Sequence, residues 1–341
     1  MGYSVMTIKE IAEIANISIG TVDRVLHNRT GVNSKTREKV LKIVKETGYE
    51  ANSLARDLKL RKKYNFTIII PELFSESEYW KLVDVGIQRA INEIPNYGTT
   101  VEYALFDREN PDSFIECFTK VYKSKPDGIV LAPPSSEEFE TFMELPNIPP
   151  ICFIDSIIPS YSPLITIAQD PYKGGIVAAK VMKLLTGGDG DYVCIQVHPN
   201  AYNSIERSRG FKDGMIGNNF NNVFFNLTLS SQRDLDFFFK NHPGVRGVFS
   251  TSSATSIVGD YLSVKGLKDR IVLVGYDLVE KNRKALVDGK IDCIISQRPA
   301  YQGYTALHQL YNYVVLGKTS SESIDIPVDI YFKENLSSMV D

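Results

Sequence analysis

The sequence predicts a small all-α head carrying a helix-turn-helix, followed by an α/β body of two doubly wound parallel-sheet lobes. Three observations carry this reading. Between Thr7 and Leu26 two short apolar stripes recur at helical spacing, with a three-residue turn between them. From Phe66 onward, short apolar runs alternate with longer amphipathic ones, in two successive series. The charge also changes sign along the chain. Residues 1–63 hold 13 Lys and Arg against 7 Asp and Glu, a net of +6; the whole chain is −3, which leaves −9 for residues 64–341.

The head opens at Thr7, which with Glu10 forms a capping box, each side chain satisfying a backbone N–H left open at a helix start. Ile8, Ile11 and Ala12 give the first helix its apolar face. Ala15-Asn16-Ile17 makes the turn, and Ser18 caps a second helix on which Val22, Val25 and Leu26 face inward. Gly20, Arg24 and His27 are left on the outward face. A third helix, Lys35 to Glu46 behind Asn33-Ser34, is expected to close the core with Val40, Leu41 and Val44, and Tyr49 lies just beyond it. A short turn before a helix with a thin polar face is the geometry that lays a recognition helix in the DNA major groove. A basic head on an acidic body suits a protein of which only the head meets phosphate.

Residues 51–63 follow as a hinge. Leu54 and Leu58 share one side of a helix too short to be stable alone, which suggests ordering on DNA with leucines wedged into the minor groove. At 341 residues, 43% hydrophobic and 23% charged, the chain suits a head plus a two-lobed globular body. No run approaches the apolar length of a membrane helix and no apolar export signal opens the chain, so a cytoplasmic protein without membrane contact is expected. Cys117, Cys152, Cys194 and Cys293 lack metal or redox spacing and read as buried thiols; neither metal nor cofactor is expected.

In the body, strands are expected at Phe66–Pro71, Thr100–Phe106, Gly128–Ala132, Ile151–Asp155 and Leu164–Ala168, with helices Glu78–Ile94 and Pro111–Lys123 among them. The second series runs through helix Tyr172–Leu185, strand Asp191–Val197, then strands at Asn222–Thr228, Val245–Ser250, Ile271–Tyr276 and Ile291–Ser296. A late helix, Ala300–Leu316, and a late strand, Ile326–Phe332, are candidates to cross back between the lobes. In such sheets ligands sit at the carboxyl ends of strands, here facing each other across a cleft. Asp155, Asp170, Asp277 and Gln297 follow strands, and Arg207 opens Arg207-Ser208-Arg209-Gly210. Asp, Arg and Gln each offer two hydrogen-bonding atoms in a plane, which suits vicinal hydroxyls, and Tyr79, Trp80 or Tyr202 offers an aromatic face for a sugar ring. Asp170 and Asp277 are equally readable as helix N-caps, and Arg207 as a partner of Glu206 or Asp213. Catalysis finds little support. The chain has no G-x-S-x-G, H-E-x-x-H, P-loop or G-x-G-x-x-G, and its four histidines are scattered, so no enzyme is expected.

The run TIKEIAEIANISIGTVDRVLHNRTGVNSKTREKVLKIVKETGYEANSLARDL resembles the head and hinge of LacI/GalR transcriptional repressors. The resemblance implies a helix-turn-helix DNA-binding domain at 1–50, a hinge helix and linker at 51–63, and an effector-binding, dimerising body at 64–341. It implies a homodimer on a roughly palindromic operator. DNA contacts are then expected from Thr7, Ser18, Ile19, Gly20 and Thr21, from Arg24, His27 and Asn28, and in the hinge from Asn52, Ala55, Lys59 and the intercalating Leu58. Ile19 and Gly20 cannot donate side-chain hydrogen bonds, Asp23 stands where serine is common, and Ala51 replaces a frequent proline. Arg24, read against guanine, is left as the main direct contact. Residues 66–335 resemble the family's periplasmic-binding-protein-like core. Arg207 matches its effector arginine in R-x-x-G, Asp277 its G-[YF]-D aspartate, Asp155 its first-lobe aspartate and Gln297 a further contact. Thr251-Ser252 replaces a frequent Asn-Asp, and Asp107 is an additional candidate. A sugar or sugar derivative is the implied effector, with purines bound by relatives of similar build. A sugar-binding or sugar-processing protein using the same cleft is the alternative. No apolar heptad tail follows Phe332 to suggest a tetramer.

Overall fold

Why the head turns where it does is visible at Asn16. Helix α1 (Ile8–Ala15) ends because Asn16 adopts the left-handed conformation, φ 54°, which asparagine tolerates. The Asn16 N–H then donates to the Glu13 carbonyl, and the Ile17 N–H to Ala12, the paired bonds that close a helix C-terminus. Lys39 reaches across to the last carbonyl of α1, Ala15, at 2.9 Å. Ser18 caps α2 (Ile19–Leu26), its hydroxyl accepting from the Thr21 N–H at 3.2 Å. Asn33 caps α3 (Ser34–Thr47) through the Thr36 N–H at 2.8 Å. Ile11, Ala12, Ala15, Val22, Val25, Val40 and Ile43 form the core of this unit, with Val44 at its margin. Leu41 corrects the sequence expectation: it is 48% exposed, and Ile43 takes its place. From Val40, steps of three and four residues stay on one helix face, whereas a step of one turns about 100° away.

The computed structural model describes residues 8–26, 29–47, 63–73, 78–94, 98–188, 190–216, 224–228, 230–319 and 323–338. Thr7, His27, Asn28, Tyr49 and the hinge residues Asn52, Ala55, Leu58 and Lys59 lie outside them. Residues 1–62 and 63–341 are two separate compact units.

In the second unit, β1 (Tyr64–Pro71), β2 (Thr99–Phe106), β3 (Gly128–Leu131), β4 (Ile151–Ile154) and β5 (Ile165–Ala168) alternate with α4 (Tyr79–Glu93), α5 (Pro111–Ser124) and the short α6 (Ser136–Glu140). Then α7 (Pro171–Thr186), β6 (Asp191–Gln196), α8 (Tyr202–Met215), β7 (Phe224–Thr228), α9 (Gln232–Asn241), β8 (Val245–Ser250), α10 (Thr255–Val264), β9 (Val272–Tyr276), α11 (Glu280–Val287) and β10 (Cys293–Ser296) build the second lobe. Helix α12 (Pro299–Val314) returns to pack on α4 and β3–β5. Of the expected late strand Ile326–Phe332 only Asp329–Tyr331 is strand, and a further strand, not anticipated, precedes it at Ser323–Asp325. β11 (Ser323–Asp325) joins β5 in the first lobe, and β12 (Asp329–Tyr331) joins β10 in the second. Pro327 between them has no N–H to give a ladder, which suits a residue in the crossing rather than in a strand.

The sheet orders are β11-β5-β4-β3-β1-β2 and β12-β10-β9-β8-β6-β7, so the lobes repeat one topology. Among the described residues every pairing is parallel except β10 with β12, where the sequence suggested wholly parallel sheets. The central strands β3, β4 and β10, and nearly all of β1, β6, β8 and β9, are buried on both faces, as helix-covered parallel sheets require. In lobe 1 one face is an aromatic cluster of Phe106, Phe114, Phe118, Phe139, Phe142 and Phe153. In lobe 2, Val193, Val248 and Leu273 point to one face and Cys194, Phe249 and Val274 to the other.

Candidate functional site

The equivalent strands β4 and β9 each end in an aspartate with left-handed backbone, Asp155 at φ 67° and Asp277 at φ 66°. This conformation turns the chain out of the sheet and leaves the carboxylate at the strand's carboxyl end, where the lobes meet. Asp155 and Asp277 are 7% and 6% exposed, Arg207 5% and Gln297 2%.

Arg207 stands on α8, a helix absent from the sequence reading because the first two turns of its buried face are polar, Asn203, Ser204, Arg207 and Ser208, and only Phe211 and Met215 beyond them are apolar. Its guanidinium lies 3.7 Å over the Tyr276 ring. Nη1 donates to the Thr251 carbonyl at 2.9 Å and Nη2 to Gln297 Oε1 at 3.2 Å. Gln297 passes the contact on, its Nε2 donating to Asp277 Oδ1 at 3.0 Å. A Cβ at position 175 would come within 2.1 Å of the Arg207 carbonyl, so glycine there sets the approach of α7 to α8. Thr251 is 1% exposed and shares a hydroxyl hydrogen bond with Ser204 at 2.8 Å.

On the facing lobe, Gln302 accepts the Asp155 N–H at 2.7 Å and donates to the Gln297 carbonyl at 2.7 Å. Asn203 crosses between the lobes, its Nδ2 donating to the Asp155 carbonyl at 2.9 Å and carboxylate at 3.3 Å. Ser156 donates to Asn203 Oδ1 at 3.3 Å. At the rim, Glu109 of lobe 1 lies 3.2 Å from His198 of lobe 2. Burial, and then the charge of Arg108, lower the His198 pKa to about 4, so the ring is neutral near pH 7.

Burial pushes the Asp277 pKa up to about 6; Arg207 opposes this and Asp155 reinforces it. Burial likewise raises the Tyr79 hydroxyl well above its ordinary value, reinforced by the charges of Asp155 and Asp277. That hydroxyl approaches Asp155 without closing a well-formed hydrogen bond. The Tyr79 hydroxyl, Arg207 Nε and Ser252 Oγ are buried and have no partner among the described residues. Buried polar atoms are normally satisfied, so these are the atoms to which a ligand has something to offer.

Of the residues singled out in the sequence, the structure gathers Tyr79, Asp155, Arg207, Thr251, Asp277 and Gln297. Trp80 is buried edge-on against Tyr79, ring centres 5.0 Å apart. Asp170 serves as the N-cap of α7, accepting the Lys173 N–H at 3.0 Å and pairing with its ammonium at 3.1 Å. Asp107 is exposed and accepts the Glu109 N–H at 2.9 Å in a local turn. Half-buried Tyr202 feels the charges of Glu206, Asp170 and Arg209. Asn203, Gln302 and Asn282 were not singled out. Asn282, fully buried, donates to the Ser253, Tyr276 and Asp277 carbonyls and holds the loop that presents Asp277. Two surface cavities of about 410 and 430 Å³ lie elsewhere, at the N-terminal ends of the lobe 2 and lobe 1 strands.

In the head, the α2 face bearing Ser18, Ile19, Gly20 and Arg24 is exposed, Ile19 at 47%, and Thr21 is half-buried. Asp23 is engaged by Arg29 at 3.3 Å. Among the described residues no helix is long and apolar enough to cross a membrane.

A helix-turn-helix with an exposed recognition face, on one chain with a two-lobed body that gathers polar groups between its sheets, defines a DNA-binding regulator with a ligand-binding body. Residues 7–52 match the lacI family of bacterial regulatory proteins, and residues 67–319 the periplasmic binding protein domain. The chain belongs to the LacI family of transcriptional regulators. It is 25% identical over 280 residues to the ribose operon repressor of Halalkalibacterium halodurans, covering 80% of each chain. It is 28% identical over 213 residues to the HTH-type transcriptional regulator DegA of Bacillus subtilis, 61% of this chain and 60% of that protein. A crystal structure described as a LacI transcriptional regulator from Bacteroides fragilis superposes with TM-score 0.74 at 27% identity, covering 81% of this chain and 99% of the other.

Proposed function

We propose that this regulator is a repressor, acts as a homodimer and takes a sugar or sugar derivative between its lobes. The observation that carries the effector reading is the convergence of Asp155, Asp277, Arg207 and Gln297, with the Tyr79 hydroxyl and Arg207 Nε left unpartnered. Two carboxylates accept from hydroxyls while a guanidinium and an amide donate to them, and a polyol offers both functions on adjacent carbons. That a relative is named a ribose operon repressor puts D-ribose first among the candidates. Binding without turnover is the behaviour expected of a regulator's effector site; product analysis after incubation with sugars would reveal an enzyme. Exposed Val85 (60%) on α4 and Leu105 (41%) on the edge strand β2 support a second copy, and sedimentation reads it directly. A monomer at micromolar concentration would remove the dimer.

The test of the effector is thermal unfolding of the full-length chain against pentoses, hexoses, uronic acids, sugar phosphates and purines. A ligand at a hundred times its dissociation constant stabilises by about 2.7 kcal/mol. A sugar that raises the midpoint, and fails to in Arg207→Ala, bears the proposal out. A response only to purines, or to nothing, defeats the sugar reading. For the head, Arg24→Ala should lower specific operator affinity by about 1–3 kcal/mol and relax preference at one base pair. Equal loss on all sequences would make Arg24 a phosphate contact.

A further inference from the structure

Three segments join the lobes: residues 169–170 between β5 and α7, 297–298 between β10 and α12, and 326–328 between β11 and β12. One side chain touches all three. Gln169, 2% exposed, lies on the first crossing. Its Nε2 donates to the Ser296 carbonyl at 3.0 Å, where the second crossing begins, and to the Pro327 carbonyl at 2.9 Å in the third. Its Oε1 accepts the Tyr276 hydroxyl at 3.0 Å. Both amide hydrogens and the carbonyl oxygen are thus engaged.

Tyr276 connects this knot to the cleft. It directly precedes Asp277, and its ring carries the Arg207 guanidinium. Its hydroxyl reaches Gln169 only because residue 174 is glycine; a Cβ there would lie 1.8 Å from the hydroxyl oxygen. Arg207, Tyr276, Gln169 and the three crossings form one unbroken chain of contacts.

We infer that Gln169 is the positioning residue that couples occupancy of the cleft to the angle between the lobes, with Tyr276 as the relay from Arg207. The coupling rests on the reading of the cleft as an effector site. A change of lobe angle has to be absorbed by backbone rotation in the crossings. Tying carbonyls of two crossings to an amide on the third makes them rotate together. The remaining hydrogen bond of that amide leads to the residue beneath Arg207, so a shift of the guanidinium on binding is felt at all three. A residue that only filled space would need none of these bonds.

The test uses full-length protein carrying Gln169→Leu, Gln169→Glu or Tyr276→Phe; the last keeps the aromatic ring and removes only the hydroxyl. Amide hydrogen exchange is measured first without sugar, on peptides covering residues 297–303 and 325–331. In each variant exchange there should rise on the order of tenfold, with the central strands of both sheets unchanged. D-ribose is then titrated with and without operator DNA. Gln169→Leu should bind the sugar within about threefold of the parent, while the sugar-induced change in operator affinity collapses by tenfold or more. Unaltered exchange at the crossings in Tyr276→Phe, or sugar affinity that falls in step with the response, would overturn the inference. If the parent binds no sugar, the cleft reading fails, and the exchange data judge the knot by themselves.

Discussion

Asp155 and Asp277 occupy the same place in the two lobes, at the ends of β4 and β9 and with the same left-handed backbone, yet they are held differently. Asp277 is served from its own lobe and from the crossing that leaves it. Its N–H goes to the Ile295 carbonyl and its carboxylate accepts from Gln297. Asp155 is served in part from the other side, where Asn203 of lobe 2 donates to its carbonyl and carboxylate. One fold repeated twice has therefore given one aspartate that belongs to the pocket wall and one that also joins the lobes. The first should govern ligand chemistry. The second should govern how the lobes meet.

Removing the cation whose charge acts on Asp277 is the largest perturbation. Arg207→Ala removes the main charge that favours ionised Asp277 and leaves Gln297 without its donor, so sugar affinity should fall by about 2–5 kcal/mol. Calorimetric titration reads this. A loss below about threefold would mean that the arginine is a strut between Thr251 and Tyr276 rather than a ligand contact.

Next in size is the pH dependence of Asp277. Its folded pKa of about 6 lies above the ordinary carboxylate value, so the fold favours the protonated form. The stability contributed by neutral Asp277 is full below about pH 4 and is lost as pH rises through about 6, by roughly 3 kcal/mol. His198 works in the opposite direction. Its pKa is lowered to about 4, so its contribution is present above its ordinary pKa and is lost as pH falls. The parent curve alone mixes the two. Asp277→Asn, which mimics the protonated acid, should become more stable relative to the parent between pH 4 and 6.5, and equilibrium unfolding at several pH values shows the difference. A constant difference across that window would place the titration elsewhere.

Much of this arrangement was legible in the sequence, for a physical reason. Asp155, Asp277, Gln297 and Thr251 follow apolar runs that can only be buried strands, and a strand end in an α/β sheet is where a polar residue meets ligand. The head was legible because capping residues and three- and four-residue spacing are local signals; Leu41 failed because one step of sequence is about 100° of helix. What could not be read shares another character. Asn203, Gln302, Gln169 and Asn282 are neutral amides, and their partners stand up to 158 residues away. An amide leaves no periodicity and no charge pattern, and α8 hid because polar groups line the first half of its buried face. Asp170, readable as ligand or cap, caps.

The smallest expected effect sharpens the comparison most. Gln297→Ala and Asn203→Ala each remove one amide from one aspartate, at about 1–3 kcal/mol for a hydrogen bond to a charged group. Gln297→Ala should act on the pocket. With the hydrogen bond that lowers the Asp277 pKa gone, the inflection near pH 6 should move upward, and sugar affinity should fall. Asn203→Ala should leave that inflection in place and instead weaken the contact between the lobes, read as a larger radius of gyration in solution scattering. Its effect should sit at the low end of the range, because the 3.3 Å bond to the Asp155 carboxylate is long and water can replace it and the 2.9 Å bond to the Asp155 carbonyl once the lobes part. If the two variants proved interchangeable in both measurements, the aspartates would be equivalent in function as well as in position, and the division between pocket wall and lobe contact would fall.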